Sequence, residues 1–250
     1  MPLILRMAFG LHRQPFTSER QMPTPPPPCA VTEQLTPAGR CIEHRSFAII
    51  DAEAGPHDYS AAQWAVVRRL IHSSADFAFN GLTQFHPQAI EHGLRAIRAG
   101  RPIITDVAII QAGLSSPRLA HFGLTVHQFI HDPEVIAQAR QHHTTRAVQA
   151  MRKAQRLGLL HQSILAIGNA PTALDELLRL QQSHAIQPAL IIGMPVGFVG
   201  AAESKAALAQ QTHSPWIITC GRKGGSTLVI AAIHALLSLA HAPQPHDTGR

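Results

Sequence analysis

Residues 163–226 read "SILAIGNAPTALDELLRLQQSHAIQPALIIGMPVGFVGAAESKAALAQQTHSPWIITCGRKGGS". Three short apolar runs stand here, at 163–168, 188–194 and 215–220, each bounded by Pro or Gly. Each is followed by a Gly-rich stretch and then a helical pattern, at 171–182, 203–211 and 225–239. Strand, helix, strand, helix, strand, helix is the rhythm of parallel βαβ units. The runs are apolar throughout rather than alternating, as expected of strands covered on both faces. Two further candidates, "PIITDV" (102–107) and "GLTVHQF" (123–129), bring the strands to five. Five suit a flavodoxin-like or Rossmann-like doubly wound parallel sheet with helices on both faces.

Upstream, "YSAAQWAVVRRLIHSS" (59–74) opens with a capping box, Ser60 as N-cap and Gln63 three residues on. Tyr59 and Trp64 form its expected hydrophobic staple, and Trp64, Val67 and Ile71 its apolar stripe. Helices are also expected at 43–53, 87–99 and 133–156. Residues 1–40 hold 8 of the chain's 19 prolines and are expected to form an extension without packed structure. Residues 241–250 are expected to fray. With no linker inside 41–240, one domain follows.

Only 14% of the residues are charged, against about a quarter in an average domain, so much of the surface is expected to be buried or covered by a partner subunit. The net charge of +6 suggests an acidic partner. Nucleic acid is disfavoured, because Lys and Arg are scattered and aromatics make up 5% of residues. A polyanionic small molecule stays open. The most apolar stretches, 188–202 and 224–240, are interrupted by Pro, Gly, Ser or His and fall short of a membrane span. Three cysteines (Cys29, Cys41, Cys220) without a C-x-x-C spacing argue against a disulfide framework and against zinc. They fit a reducing compartment, and a cytoplasmic location is expected.

Ligands of doubly wound folds bind beyond the carboxyl ends of the strands. The loops there are "GNAPTAL" (Gly168, Asn169, Thr172), "GMPVGFVGAAESK" (Gly197, Gly200, Lys205) and "CGRKGGST" (Arg222, Lys223, Gly224, Gly225, Ser226). Glycines let backbone N–H groups approach a ligand, helix N-termini attract anions, and Arg222 and Lys223 add charge. Glycines that merely make tight turns are the competing reading for any single loop. The nucleotide fingerprints fail: "GMPVGFVG" is not G-x-G-x-x-G, and "GRKGGST" is not a Walker A loop. That weakens a nicotinamide-dependent enzyme, which tight NADH binding would revive. No H-E-x-x-H occurs, and His142 and His143 are adjacent, so no metal is expected. His72 lies at the border of the apolar stripe of helix 60–75. By pattern alone a hydrogen-bonded structural histidine is the commoner reading.

Seven ordered segments resemble one family. They are "RSFAIIDAEAG" (45–55), "VVRRLIHSSADF" (66–77), "FHPQAIEHGLRAIRAGRPIITDV" (85–107), "TTRAVQAM" (144–151), "AIGNAPTAL" (166–174), "IIGMPVGFVGAAESK" (191–205) and "GRKGGS" (221–226). The family is precorrin-8X methylmutase, also called cobalt-precorrin-8 methylmutase, of cobalamin biosynthesis. The resemblance implies a flavodoxin-like homodimer without a separate cofactor. It would move a methyl group from C-11 to C-12 of a corrinoid polycarboxylate, precorrin-8X or cobalt-precorrin-8. It implies His72 as the catalytic residue, with Ser46 and Arg146 at the substrate. The alternative is a non-catalytic corrinoid carrier on the same scaffold. "DVAII" departs from the family at Ala108 and Ile110 but keeps Asp106; the departure is read as tuning of pocket shape.

Overall fold

The protein is described from a computed structural model covering residues 34–184 and 186–241. In chain order the elements are α1 (Pro37–Glu53), α2 (Ala61–Ser74), α3 (Phe79–Leu82), β1 (Thr83–Phe85), α4 (Ala89–Arg98), β2 (Ile103–Thr105), α5 (Ala108–Gly113) and α6 (Ser116–His121). There follow β3 (Val126–His127), α7 (Pro133–Gln141), α8 (Arg146–Arg156), β4 (Ile164–Ile167), α9 (Pro171–His184), β5 (Leu190–Gly193), α10 (Ala201–Ala209), β6 (Trp216–Thr219) and α11 (Ser226–His241).

All five expected strands are present as a parallel set, but the sheet has six strands, in the order β1-β6-β5-β4-β2-β3. The addition is β1, which runs antiparallel along β6 with Thr83 opposite Thr219. Three residues with one buried side chain carry no strand signal. The partner makes this strand: Cys220 N–H donates to the Leu82 carbonyl at 2.7 Å, and His86 N–H to the Trp216 carbonyl at 2.9 Å.

Neighbouring strand residues feed opposite cores. Ile103, Ile164, Ala166, Leu190, Ile192 and Ile217 pack into a core with α2, α4 and α11. Their chain neighbours Ile104, Leu165, Ile167, Ile191 and Ile218 pack against α8 and α9. This period-two division buries both faces, which is why the strands read as unbroken apolar runs. Helix α11 is apolar nearly all round because α2 and α4 cover what the sheet leaves.

The capping box of α2 is formed, and Tyr59 and Trp64 stack with ring centres 6.5 Å apart. Two local expectations need correction. The helix expected over 133–156 is two helices, because His143 turns into the left-handed region (φ 49°) and Thr145 caps a new start, its hydroxyl accepting from Val148 N–H. His142 and His143 therefore lie in the turn between α7 and α8. The expected N-terminal extension ends early: Thr36 caps α1, so Pro37–Arg40 are helical. Residues 1–33, including Cys29, and 242–250 lie outside the described residues. Among the described residues no helix is long and apolar enough to cross a membrane.

Candidate active site

The three Gly-rich loops meet at the carboxyl ends of β4, β5 and β6. The Gly168 backbone lies against Ser226 at the start of α11, where a side chain on Gly168 would come within 2.8 Å of the Ser226 Cα. Gly224 is pressed onto the loop after β5, and any Cβ there would collide with the Met194 carbonyl oxygen. Gly225 N–H donates to that same oxygen at 2.8 Å, and Gly197 N–H donates to the Arg222 carbonyl at 3.2 Å. Gly200 adopts φ 75° as the N-cap residue of α10 and packs near Pro171. Gly168, Gly197, Gly200, Gly224, Gly225 and Ser226 are thus parts of one surface.

In the loop after β4 the backbone N–H groups are not the open cradle that sequence suggests. Asp106, wholly buried at the end of β2, accepts N–H bonds from Gly168 (3.1 Å), Asn169 (2.8 Å) and Ala170 (2.7 Å). Burial pushes its carboxyl above the ordinary aspartate range, while the three donors pull it back. An internal carboxylate therefore fills the anion-attracting position of this loop. Gly168 contributes shape, and Asn169 only its exposed side chain.

The loop after β6 has the opposite arrangement. Its cationic side chains face outward and its backbone is gripped from beneath. The Lys223 carbonyl accepts from Lys205 Nζ at 2.7 Å and from the Thr219 hydroxyl at 2.8 Å. Lys205 is 1% exposed, and burial pulls its ammonium down to about 8. Arg222 is exposed and lies 5.5 Å from the ring centre of Phe198. Phe198 and Val199, at the tip of the loop after β5, are 84% and 89% exposed.

Lys223 Nζ pairs with Asp76 Oδ2 at 2.5 Å, which holds the Asp76 carboxyl below its usual range. Asp76 lies four residues beyond His72, just after Ala75 caps α2 in the left-handed conformation (φ 53°). This pair ties the end of the His72 helix to the loop after β6.

His72 is half-buried in the last turn of α2, where its ring meets Phe47 of α1 edge-on at 5.3 Å. Arg68 lies over the same phenyl ring at 4.4 Å, and its charge is met by Asp51 at 2.7 Å. Ser46, beside Phe47 in α1, donates its hydroxyl to the Ile42 carbonyl at 2.9 Å. Arg146 is exposed at the first position of α8, on the other face of the sheet. It joins Arg140 and His143 around a cleft of about 520 Å³. The hydroxyls of Thr145 and Thr172, 2.9 Å apart, link the start of α8 to that of α9. The carboxyl edge is thus flanked by Ser46 and His72 on one side and by Arg146 and Thr172 on the other. The described residues show no direct contact between the two flanks.

The larger cleft, about 570 Å³, is lined by His57, Tyr59, Phe85 and Trp216 along the β1 edge, and none of the site residues expected from sequence lines it. Ile110 is fully buried in the core, so that departure acts through packing rather than at a ligand surface. Among the described residues no group of three or more His, Cys, Asp or Glu could hold a metal ion. Sequence reading missed Asp76, the filling role of Asp106, Phe47 and the grip of Lys205. The one available signal was Asp106 itself, a lone carboxylate closing an apolar strand.

The comparisons with known proteins agree. A cobalt-precorrin-8 methylmutase of Leptospira interrogans (serogroup Icterohaemorrhagiae, serovar Lai) is 48% identical over 212 residues, 83% of this chain and 96% of that protein. A precorrin-8X methylmutase of a Sinorhizobium species is 39% identical over 79% of this chain and 93% of its own length. The crystal structure of a precorrin-8X methylmutase from Thermus thermophilus superposes with a TM-score of 0.77 at 50% identity, covering 81% of this chain and 97% of that one. The family model for precorrin-8X methylmutase matches residues 41–239, and the chain belongs to that family.

Proposed function

We propose that this protein moves a methyl group from C-11 to C-12 of a corrinoid in cobalamin biosynthesis, with His72 as its proton donor. The migration breaks one C–CH₃ bond as it forms another. A proton lent to the ring C nitrogen side makes the migration terminus electron-poor and is returned afterwards, so the step balances without a cofactor. A histidine, whose ordinary pKa is about 6.5, can lend and recover a proton near neutrality. The observation that carries this reading is the Asp76–Lys223 pair, which ties the end of the His72 helix to the loop after β6. Arg222, Lys223 and Arg146 suit the peripheral carboxylates of such a substrate, with Ser46, Thr172 and Ser226 as hydroxyl partners. Gly197, Gly200, Gly224 and Gly225, with Gly168 and Asn169, shape the floor. The rest of catalysis is selective binding of the migrating geometry.

Relatives at 48% and 50% identity carry the two names, cobalt-precorrin-8 and precorrin-8X methylmutase, so comparative turnover of the two forms assigns the substrate. The five parallel strands, in order β3-β2-β4-β5-β6 with β1 added at the edge, support a flavodoxin-like reading. A homodimer is supported by apolar side chains left in water, Ile42 and Ile49 on α1 and Phe198 and Val199 beside the loops. A cytoplasmic location fits the free thiols of Cys41 and Cys220. The catalytic unit in this reading starts at α1, and a chain shortened to that point keeps its activity.

The test is turnover of precorrin-8X and of its cobalt form, followed by visible absorption. His72→Ala is expected to slow conversion about 10²–10⁴-fold without changing the fold. Conversion at the wild-type rate would remove His72 from the chemistry. Corrinoid binding without conversion by the wild-type protein would favour the carrier.

A further inference from the structure

Of the chain's three lysines, one is buried. Lys205 lies on α10, among side chains that the proposed chemistry does not use. A buried ammonium is costly, and a hydrophobic residue at this site would stabilise the packing instead. Nζ donates to the carbonyl of Lys223 at 2.7 Å. The Thr219 hydroxyl donates to the same oxygen, so two donors from beneath hold one peptide of the loop after β6. The side chain of that residue points the other way, to Asp76 at 2.5 Å. Asp76 in turn accepts from Ala78 N–H at 2.9 Å, and its own N–H donates to Ser74 Oγ at 3.3 Å. Between them Ala75 is held at φ 53°, a left-handed conformation unfavourable for a residue with a Cβ. The end of the His72 helix is therefore a strained turn kept in place by an ion pair whose far partner is set by Lys205.

We propose that Lys205 is a positioning residue for His72, acting through the Lys223 backbone and the Lys223–Asp76 pair on the last turn of α2. This rests on the reading of His72 as the catalytic group. Lys205 never meets substrate. It sets the height of the Lys223 peptide, and the strap carries that setting to the imidazole.

The test uses the full-length protein. Lys205→Met keeps the length of the side chain and removes the donor. Asp76→Asn cuts the strap at its exposed end. Each is expected to lower kcat about tenfold, the size of a small misplacement of a catalytic group. The double variant is expected to be no slower than either single one, because both act through one link. Both should move the His72 imidazole signal in histidine-labelled NMR, assigned by its loss in His72→Gln. Leu208→Ala, a cavity on the same helix, is the control: it lowers stability but leaves kcat and the His72 signal in place.

A wild-type kcat and an unmoved His72 signal in Lys205→Met overturn the proposal, as do losses that multiply in the double variant. If Lys205→Met does not fold, Asp76→Asn decides alone, and an unmoved signal there overturns it. The NMR arm needs no substrate. A wild-type protein inactive on both corrinoids would defeat the functional reading while the strap is still judged.

Discussion

The loops after β4 and β6 look alike in sequence, each Gly-rich and each opening a helix, yet they are built in opposite senses. The first turns its N–H groups inward onto Asp106. The second is held by its carbonyl, on Lys205 and Thr219, and turns its side chains outward, Lys223 to Asp76 and Arg222 to solvent. One loop is closed on the protein's own charge; the other leaves Arg222 open to a foreign one. A glycine motif at a strand end announces a close backbone approach without saying whether a ligand or the chain itself makes that approach.

The contrast can be broken most sharply at Asp106. Asp106→Ala leaves three N–H groups, one of them fully buried, without their acceptor and should cost about 2–4 kcal/mol in urea unfolding. A loss under 1 kcal/mol, on the scale of a surface change, would mean that the loop after β4 is as open as its counterpart.

Next in size is an acid effect in α11, the helix that the loop after β6 opens. Arg118 donates to His234 Nδ1 at 2.8 Å, and His234 Nε2 lies 3.3 Å from the Gly113 carbonyl, so the ring is held neutral. Burial, with Arg118 nearby, lowers its pKa from 6.5 to about 4. The unfolded chain binds this proton first as pH falls. The stability is therefore complete above pH 6.5 and is lost as pH falls from 6.5 to 4, by about 3 kcal/mol in all. His234→Gln should flatten that slope. Variants of the two loops are therefore compared above pH 6.5, where this effect is constant.

Gly224→Ala should cost about 1–3 kcal/mol, because the new methyl group meets backbone rather than a yielding side chain. A neutral result would show that the loop after β6 can shift away from β5.

The smallest stability effect belongs to the exposed Arg222. Arg222→Ala should change unfolding by no more than about 0.5–1 kcal/mol, as an exposed charge does. Arg222→Ala should instead raise KM about tenfold, and more at low salt than at high. Unchanged KM would leave the loop after β6 as structural as its neighbour.

Much of this protein is legible before folding. The apolar runs at 164–167, 190–193 and 216–219 become strands where expected, because burial on both faces leaves no other pattern available to them. Ser60 and Gln63 cap α2 as their spacing requires. The site is less legible. Gly168 and Asn169 are at the carboxyl edge as expected, but their donors are taken by a residue 62 and 63 positions away. Thr83–Phe85 becomes a strand only because β6 offers it a partner.

Local pattern alone settles the five parallel strands, the cap of α2 and the glycine turns, since these depend on neighbours in sequence and on burial. The ordered segments add the family. Only the tertiary structure decides which polar groups satisfy one another. It places Asp106 under one loop and Lys205 under the other, and joins Asp76 to Lys223 across 147 residues. A buried polar group must find its partner wherever the fold supplies one, and no period in the sequence encodes that distance.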